Sequence, residues 1–236
     1  MAIDLEKRAE KVQIILEKKQ LRQVPAMRAG AALDISGSTR HLYTNRVIQE
    51  TVERLLPVAL RFDDNGELDM WTFHNQFQRL PAATRANYEN YIEREVLNKA
   101  SVSKWGGTSY APVMGDVVDL YFGASAKPAR SFLGGIFGKK DAAAANSNMP
   151  SMCLFVTDGA NDDPGRAAAL MRAAKAHPLY WQLIGVGNPR EFDFLRDMAA
   201  ELPNVGFVHL ERLDISDDEL YEQLLSDELC NWIRAR

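Results

Sequence analysis

Only two of the 236 residues are cysteines. Cys153 lies in an apolar run, residues 152–156, and Cys230 in an amphipathic stretch near the end of the chain. Isolated thiols in such settings read as buried and reduced, which excludes a disulfide scaffold or a cysteine metal cluster. Histidine is nearly as scarce: His41, His74, His177 and His209 have no zinc-ligand spacing and read as surface or strand-end residues. Positive charge is not in excess either. Lys and Arg number 28 against 32 Asp and Glu, a net charge of −4, which argues against general nucleic-acid binding because that needs a basic face. No apolar run approaches the length that spans a bilayer. Residues 1–7 are charged and lack the apolar core of a secretory leader, so a cytoplasmic protein is expected. Gly-x-x-x-x-Gly-Lys is absent, and no Gly-x-Gly-x-x-Gly follows the first strand, which disfavours P-loop and dinucleotide-binding readings.

What is present is an ordinary folded composition, 46% hydrophobic and 25% charged, at a length that suits one large α/β domain with short extensions. Residues 4–20 carry Leu5, Val12, Ile15 and Leu16 at helical spacing behind Asp4 as a cap. Residues 29–35 read as a strand, 41–62 as one long amphipathic helix with Pro57 inside it, and 68–73 as a strand with 77–80 as a short antiparallel partner. Residues 84–97 and 110–122 read as helices, the second with Pro112 in its first turn. The run 152–156 is apolar throughout, as a central strand buried on both faces must be. Helix, strand, helix and strand follow at 163–176, 179–186, 191–200 and 205–210, and a capping box at 216–219 opens a single closing helix. Strands alternating with helices imply a doubly wound, mostly parallel sheet with helices on both faces and one short antiparallel edge strand. Residues 1–26 are expected to be a helical extension and 27–236 the domain. At about 124–150 periodicity fails, and a long flexible insertion is expected. Within it Phe132, Leu133, Ile136 and Phe137 with Lys139 and Lys140 suit either docking on a partner or membrane surface, or folding back on their own domain.

Three short stretches carry the chemistry. Residues 34–38 are Asp-Ile-Ser-Gly-Ser, 106–109 are Gly-Gly-Thr-Ser and 157–159 are Thr-Asp-Gly. Each follows a strand or loop and precedes a helical pattern, and in an open α/β sheet such turns converge on the carboxyl edge. Asp34, Ser36, Ser38, Thr108 and Asp158 then offer two carboxylates and three hydroxyls to one oxygen-loving divalent cation, Mg²⁺ first and Mn²⁺ or Ca²⁺ as alternatives. With three of five groups neutral, the ion keeps part of its charge and an open position for an outside carboxylate. Taken singly, each piece is also ordinary turn and cap chemistry. Three in order, each at the end of a strand or loop, favour the metal.

The combination resembles the metal-ion-dependent adhesion site of von Willebrand factor A domains, over roughly residues 27–236. Residues 56–69, Leu-Pro-Val-Ala-Leu-Arg-Phe-Asp-Asp-Asn-Gly-Glu-Leu-Asp, and 105–113, Trp-Gly-Gly-Thr-Ser-Tyr-Ala-Pro-Val, are similar to the bacterial A domains associated with tellurium resistance and stress response. That resemblance implies Mg²⁺ bound directly by Ser36, Ser38 and Thr108, and by Asp34 and Asp158 directly or through water. It also implies a Glu or Asp of a partner, another component of a tellurium-resistance system, at the free position. Thr39, Tyr43, Gly107, Ser109, Gly159 and Asn161 are the expected partner-binding residues near the metal. Tyr43 and Tyr110, as aromatics at helix starts, more often pack than contact a ligand. Asp162 and Asp163 read either as shaping charge preference or as a solvated turn before Pro164.

A Mg²⁺-dependent phosphohydrolase at the same edge is the competing reading. Against it, residue 36 is serine where a second carboxylate would act as acid or base, and the three motifs hold no Lys or Arg for a transferring phosphate. No catalytic residue is assigned, and a binding module rather than an enzyme is expected.

Overall fold

The computed structural model describes residues 5–63, 65–123, 148–211 and 215–236. Its element order is α1 (Leu5–Lys18), β1 (Arg28–Asp34), α2 (Arg40–Thr44), α3 (Val47–Phe62), β2 (Leu68–Phe73), β3 (Phe77–Ala83), α4 (Ala111–Phe122), β4 (Ser151–Thr157), α5 (Pro164–Ala174), β5 (Leu179–Val186), α6 (Asp193–Glu201), β6 (Val205–Leu210), α7 (Asp217–Leu224) and α8 (Asp227–Arg234). Six strands form one sheet in the order β3-β2-β1-β4-β5-β6. Every neighbouring pair is parallel except β2 with β3. The expected doubly wound sheet with one antiparallel edge strand is therefore what the chain forms.

Alternation along the central strands divides the core in two. Ala29, Ala31 and Leu33 of β1 and Met152, Leu154 and Val156 of β4 face the layer built from α1, α3, α7 and α8. Ala32, Cys153 and Phe155 face α4, α5 and α6. Both faces are covered, which is why these strands read as unbroken apolar runs. Both cysteines are buried free thiols. The N-terminal helix α1 packs into the first layer through Leu5, Val12, Ile15 and Leu16. A buried ion cluster pins it there: Arg8 Nε and Arg54 Nε donate to the two oxygens of Asp217 at 3.1 and 2.8 Å, tying α1, α3 and α7 together.

Four expected elements differ in extent, each for a local reason. The helix expected over 41–62 is two helices, because Arg46 adopts a left-handed φ of 62° and breaks the helix between α2 and α3. The helix expected over 84–97 shrinks to residues 91–97, the last five of them π-helical. Here the Thr84 and Asn87 side chains bond nearby backbone, with Thr84 N–H donating to Asn87 Oδ1 at 2.7 Å and Ala86 N–H to Thr84 Oγ1 at 3.2 Å. Such side-chain bonds compete with helix formation. The single closing helix is broken at Ser226, which is extended and accepts Leu229 N–H at 3.3 Å to cap α8. The short hairpin partner at 77–80 runs on to Ala83, its Pro81 tolerated because β3 is an edge strand.

The expected insertion lies outside the described residues except for 148–150, and so do the Phe132–Lys140 cluster and the Asp4 cap. Among the described residues no helix is long and apolar enough to cross a membrane.

Candidate metal centre

Strand order reverses direction between β1 and β4, and the ends of those two strands, Asp34 and Thr157, frame the crevice where open α/β sheets hold ligands. The Asp34 carboxylate, 2% exposed, accepts Ser36 N–H on Oδ1 and the Thr157 hydroxyl on Oδ2, both at 2.8 Å. Because Thr157 spends its single proton on Asp34, the Tyr110 hydroxyl 3.0 Å away is the donor toward Thr157. The same Thr157 oxygen accepts Gly159 N–H at 3.1 Å. A relay from Tyr110 through Thr157 thus fixes the orientation of Asp34.

Below Asp34, its carbonyl oxygen accepts the Tyr43 hydroxyl at 2.9 Å and the Thr39 hydroxyl at 3.2 Å, while Thr39 also reaches the Ser36 carbonyl at 3.0 Å. These bonds curl residues 34–39 so that the Ser36 and Ser38 hydroxyls stand 3.2 Å apart. Ser36 is buried and Ser38 exposed.

The second loop is fastened to the first. Trp105, at a left-handed φ of 66°, donates its N–H to the Ile35 carbonyl at 2.9 Å, and Gly37 N–H donates to the Gly106 carbonyl at 3.0 Å. Gly106 has no room for a side chain, since a Cβ there would fall on His74 and Asn75. The third loop closes on the second. Thr108 N–H donates to Asp162 Oδ2 at 2.8 Å, and Asp162 N–H returns a bond to the Thr108 carbonyl at 2.6 Å. Asp163 accepts the N–H groups of Tyr110 and Ala111 at 2.8 and 3.2 Å, supplying from another loop the cap that the start of α4 lacks. Gly159, at φ +104°, fits where any Cβ would collide with the Glu191 carbonyl. The three motifs form one hydrogen-bonded edge.

Electrostatically that edge is short of positive charge. Burial, joined by the negative charge of Asp158, pushes the Asp34 carboxyl up to about 6, against the lowering effect of its hydrogen bonds to Ser36 and Thr157. Asp158 Oδ1 is itself buried with no hydrogen-bond partner. Two carboxylates that sense each other's charge, one with an orphaned oxygen, together with the hydroxyl-bearing residues of the same loops, are a donor set that suits a hard divalent cation. Among the described residues no group of three or more His, Cys, Asp or Glu is placed to hold a metal. An ion here would therefore depend on Ser36, Ser38 and Thr108 as much as on the two aspartates.

Of the residues expected to meet a partner, Gly107 is exposed, and Ser109 and Asn161 are half-buried. Thr39 and Tyr43 are turned inward at 1% and 2% exposure, and Gly159 is buried; they shape the loops instead of facing outward. Asp162 is exposed and Asp163 half-buried in the turn before Pro164, and each also accepts backbone N–H groups of the second loop. Sequence reasoning missed Trp105 and the roles of Thr157 and Asp163. Thr157 stands inside a quoted motif, but nothing in its spacing says that its hydroxyl reaches across to Asp34.

The profile of a family described as vWA-TerF-like, vWA found in TerF C terminus, matches residues 26–133 and 137–236. The uncharacterized protein YcbR of Bacillus subtilis (strain 168) is 38% identical over 230 residues, covering 95% of this chain and 84% of that protein. Among solved structures, proximal thread matrix protein 1 of the mussel byssus superposes with a TM-score of 0.57 at 12% identity, over 88% of this chain and 48% of the mussel chain. The present chain thus spans about half the length of that protein. The SpRpn10 VWA domain gives a TM-score of 0.55 at 9% identity, over 83% of this chain and 93% of that one. At these identities the two structures speak for the fold alone.

Proposed function

This chain belongs to the von Willebrand A family of the type found at the TerF C terminus, and from that premise we propose that it is a metal-dependent protein-interaction module. Ser36, Ser38 and Thr108 would hold Mg²⁺, with Asp34 and Asp158 ligating directly or through water. When bound, the ion supplies a partly shielded positive charge with an open position for a carboxylate. The chain's own part is positional. The relay from Tyr110 through Thr157 orients Asp34, the Thr39 and Tyr43 bonds set the curl that presents Ser36 and Ser38, and Asp162 holds the Thr108 backbone. The observation that carries this reading is buried Asp34, its carboxyl pushed up, beside half-buried Asp158, whose Oδ1 is buried without a hydrogen-bond partner.

The partner would present a Glu or Asp. Membership of the TerF-type family supports a place in a bacterial tellurium-resistance or stress-response assembly. No residue of the three loops has redox chemistry for tellurite, so such a role would run through assembly.

Binding is favoured over phosphate-ester hydrolysis by where the adjacent cations go. Lys104 Nζ is spent on the carbonyls of Lys99 and Val102 at 2.8 and 2.7 Å, and the Arg40 guanidinium lies over the Trp105 ring, 5.6 Å from its centroid. The test is binding of a fluorescent Glu-containing peptide and its Gln counterpart, each with Mg²⁺ or with chelator. Retention of the Glu peptide alone, and only with Mg²⁺, is expected. Equal behaviour of the two peptides, or indifference to chelator, would remove the acidic-partner reading.

A further inference from the structure

Beside Asp158 the carboxyl edge opens into a cavity of about 580 Å³, lined by α2, the start of α3, the ends of β5 and β6, and residues 187–191. Its apolar wall comes from Leu42, Val47 and Val186, and its rim carries Glu50, Glu191 and Glu211. No Lys or Arg is among the described residues that line it. Nor do the side chains of these three glutamates form an ion pair among the described residues. The remaining ionisable groups on the wall are Asp158 and His41, and His41 Nδ1 is engaged with the Ser38 carbonyl at 2.9 Å.

An apolar wall beneath carboxylates that form no ion pair among the described residues matches one kind of side chain, a hydrocarbon stem ending in a cation. We infer that this cavity receives a lysine or arginine of the partner segment, next to the acidic residue that meets the metal. The inference rests on the interaction reading above and deepens it. Asp158 lines the cavity and belongs to the proposed metal site, so the two sites adjoin and one segment could meet both. Recognition is then of a paired acidic and basic motif rather than of an isolated carboxylate. Arginine fits the carboxylate ring better than lysine, because its planar fork bonds several oxygens at once and is less strongly hydrated. The acidic rim also acts against partners: a second acidic residue beside the first would meet Glu50, Glu191 and Glu211 and be repelled.

The cavity can be tested without the metal. The isotope-labelled full chain is titrated, with Mg²⁺ and with chelator, with N-acetyl-arginine methylamide, its uncharged citrulline isostere and the norleucine analogue. Amide shifts are followed at Leu42, Val47, Val186 and Gly187. The arginine probe is expected to shift these amides, and citrulline to bind about tenfold more weakly. The triple variant E50Q/E191Q/E211Q, changed only at exposed positions, should bring arginine down to the citrulline level.

Equal binding of all three probes would make the cavity merely apolar and overturn the inference, as would an absence of shifts at these amides or an unchanged arginine response in the variant. Shifts of Ser36 and Ser38 on adding Mg²⁺ alone report the metal reading in the same samples. The two ideas can therefore fail separately.

Discussion

Asparagine in place of Asp34 should make the protein more stable and less useful. Burial and the neighbouring Asp158 push the Asp34 carboxyl from its ordinary 3.8 to about 6. A shift of about two units corresponds to about 3 kcal/mol spent on keeping that carboxylate ionised in the folded, metal-free protein at neutral pH. The folded state holds this proton more tightly than the unfolded state. Its contribution is therefore fully present below pH 3.8 and is lost as pH rises through about 6. Asp34→Asn removes the charge and keeps an acceptor for Ser36 N–H, but it presents an amide where the Thr157 hydroxyl now donates. The net gain expected at pH 7 with chelator is about 1–3 kcal/mol, a rise in Tm of roughly 2–10 °C for a chain of this size. By pH 4 the advantage should have gone. Adding Mg²⁺ should reverse the ranking, since the ion stabilises only the parent. Melts of both proteins at pH 4, 5, 6 and 7, with chelator and with Mg²⁺, decide the matter. A variant less stable than the parent at pH 7 with chelator, or a difference independent of pH, would refute the idea that an uncompensated buried carboxylate sits here.

Three further substitutions separate scaffold from site. Asp217→Ala leaves Arg8 and Arg54 facing each other without their shared carboxylate; a loss of about 3–5 kcal/mol in chemical denaturation is expected, with Mg²⁺ still bound by whatever fraction remains folded. Gly106→Ala drives a methyl into His74 and Asn75, costing about 1–3 kcal/mol and weakening Mg²⁺ binding through the displaced Thr108 loop, to be read by calorimetry. Tyr43→Phe deletes only the bond to the Asp34 carbonyl; denaturation should show about 0.5–1.5 kcal/mol lost, and a complete loss of Mg²⁺ binding would contradict its supporting role.

Local chemistry explains which parts of this molecule were legible in its residues. The continuous apolar run at 152–156 suits a strand of a sheet covered on both faces, and it became β4, with the strand expected at 179–186 forming β5 beside it. The switch point followed from strands alternating with helices, and it placed Asp34 and Asp158 on one edge. Hidden from the sequence was everything that depends on a distant partner. Apolar periodicity across 41–62 is real, yet the left-handed Arg46 interrupts the helix just after Tyr43, which bonds the distant Asp34 carbonyl. Asp163 looks like the cap of its own helix but caps α4 instead. The cavity beside Asp158 is assembled from α2, α3, β5 and β6, and no local pattern announces it.

The central claim is that a divalent cation completes this edge, and a calorimetric titration of chelator-treated protein with Mg²⁺, run beside Asp158→Ala and paired with thermal melts, tests it most directly. A ligand confined to the folded state raises stability by about 2.7 kcal/mol at a hundredfold excess over its Kd, which is roughly 5–10 °C in Tm here. Saturable heat and that rise in the parent, with neither in Asp158→Ala, is the predicted result. No heat and no rise in the parent at millimolar Mg²⁺, Mn²⁺ or Ca²⁺ would contradict it and leave the three loops as turn chemistry alone.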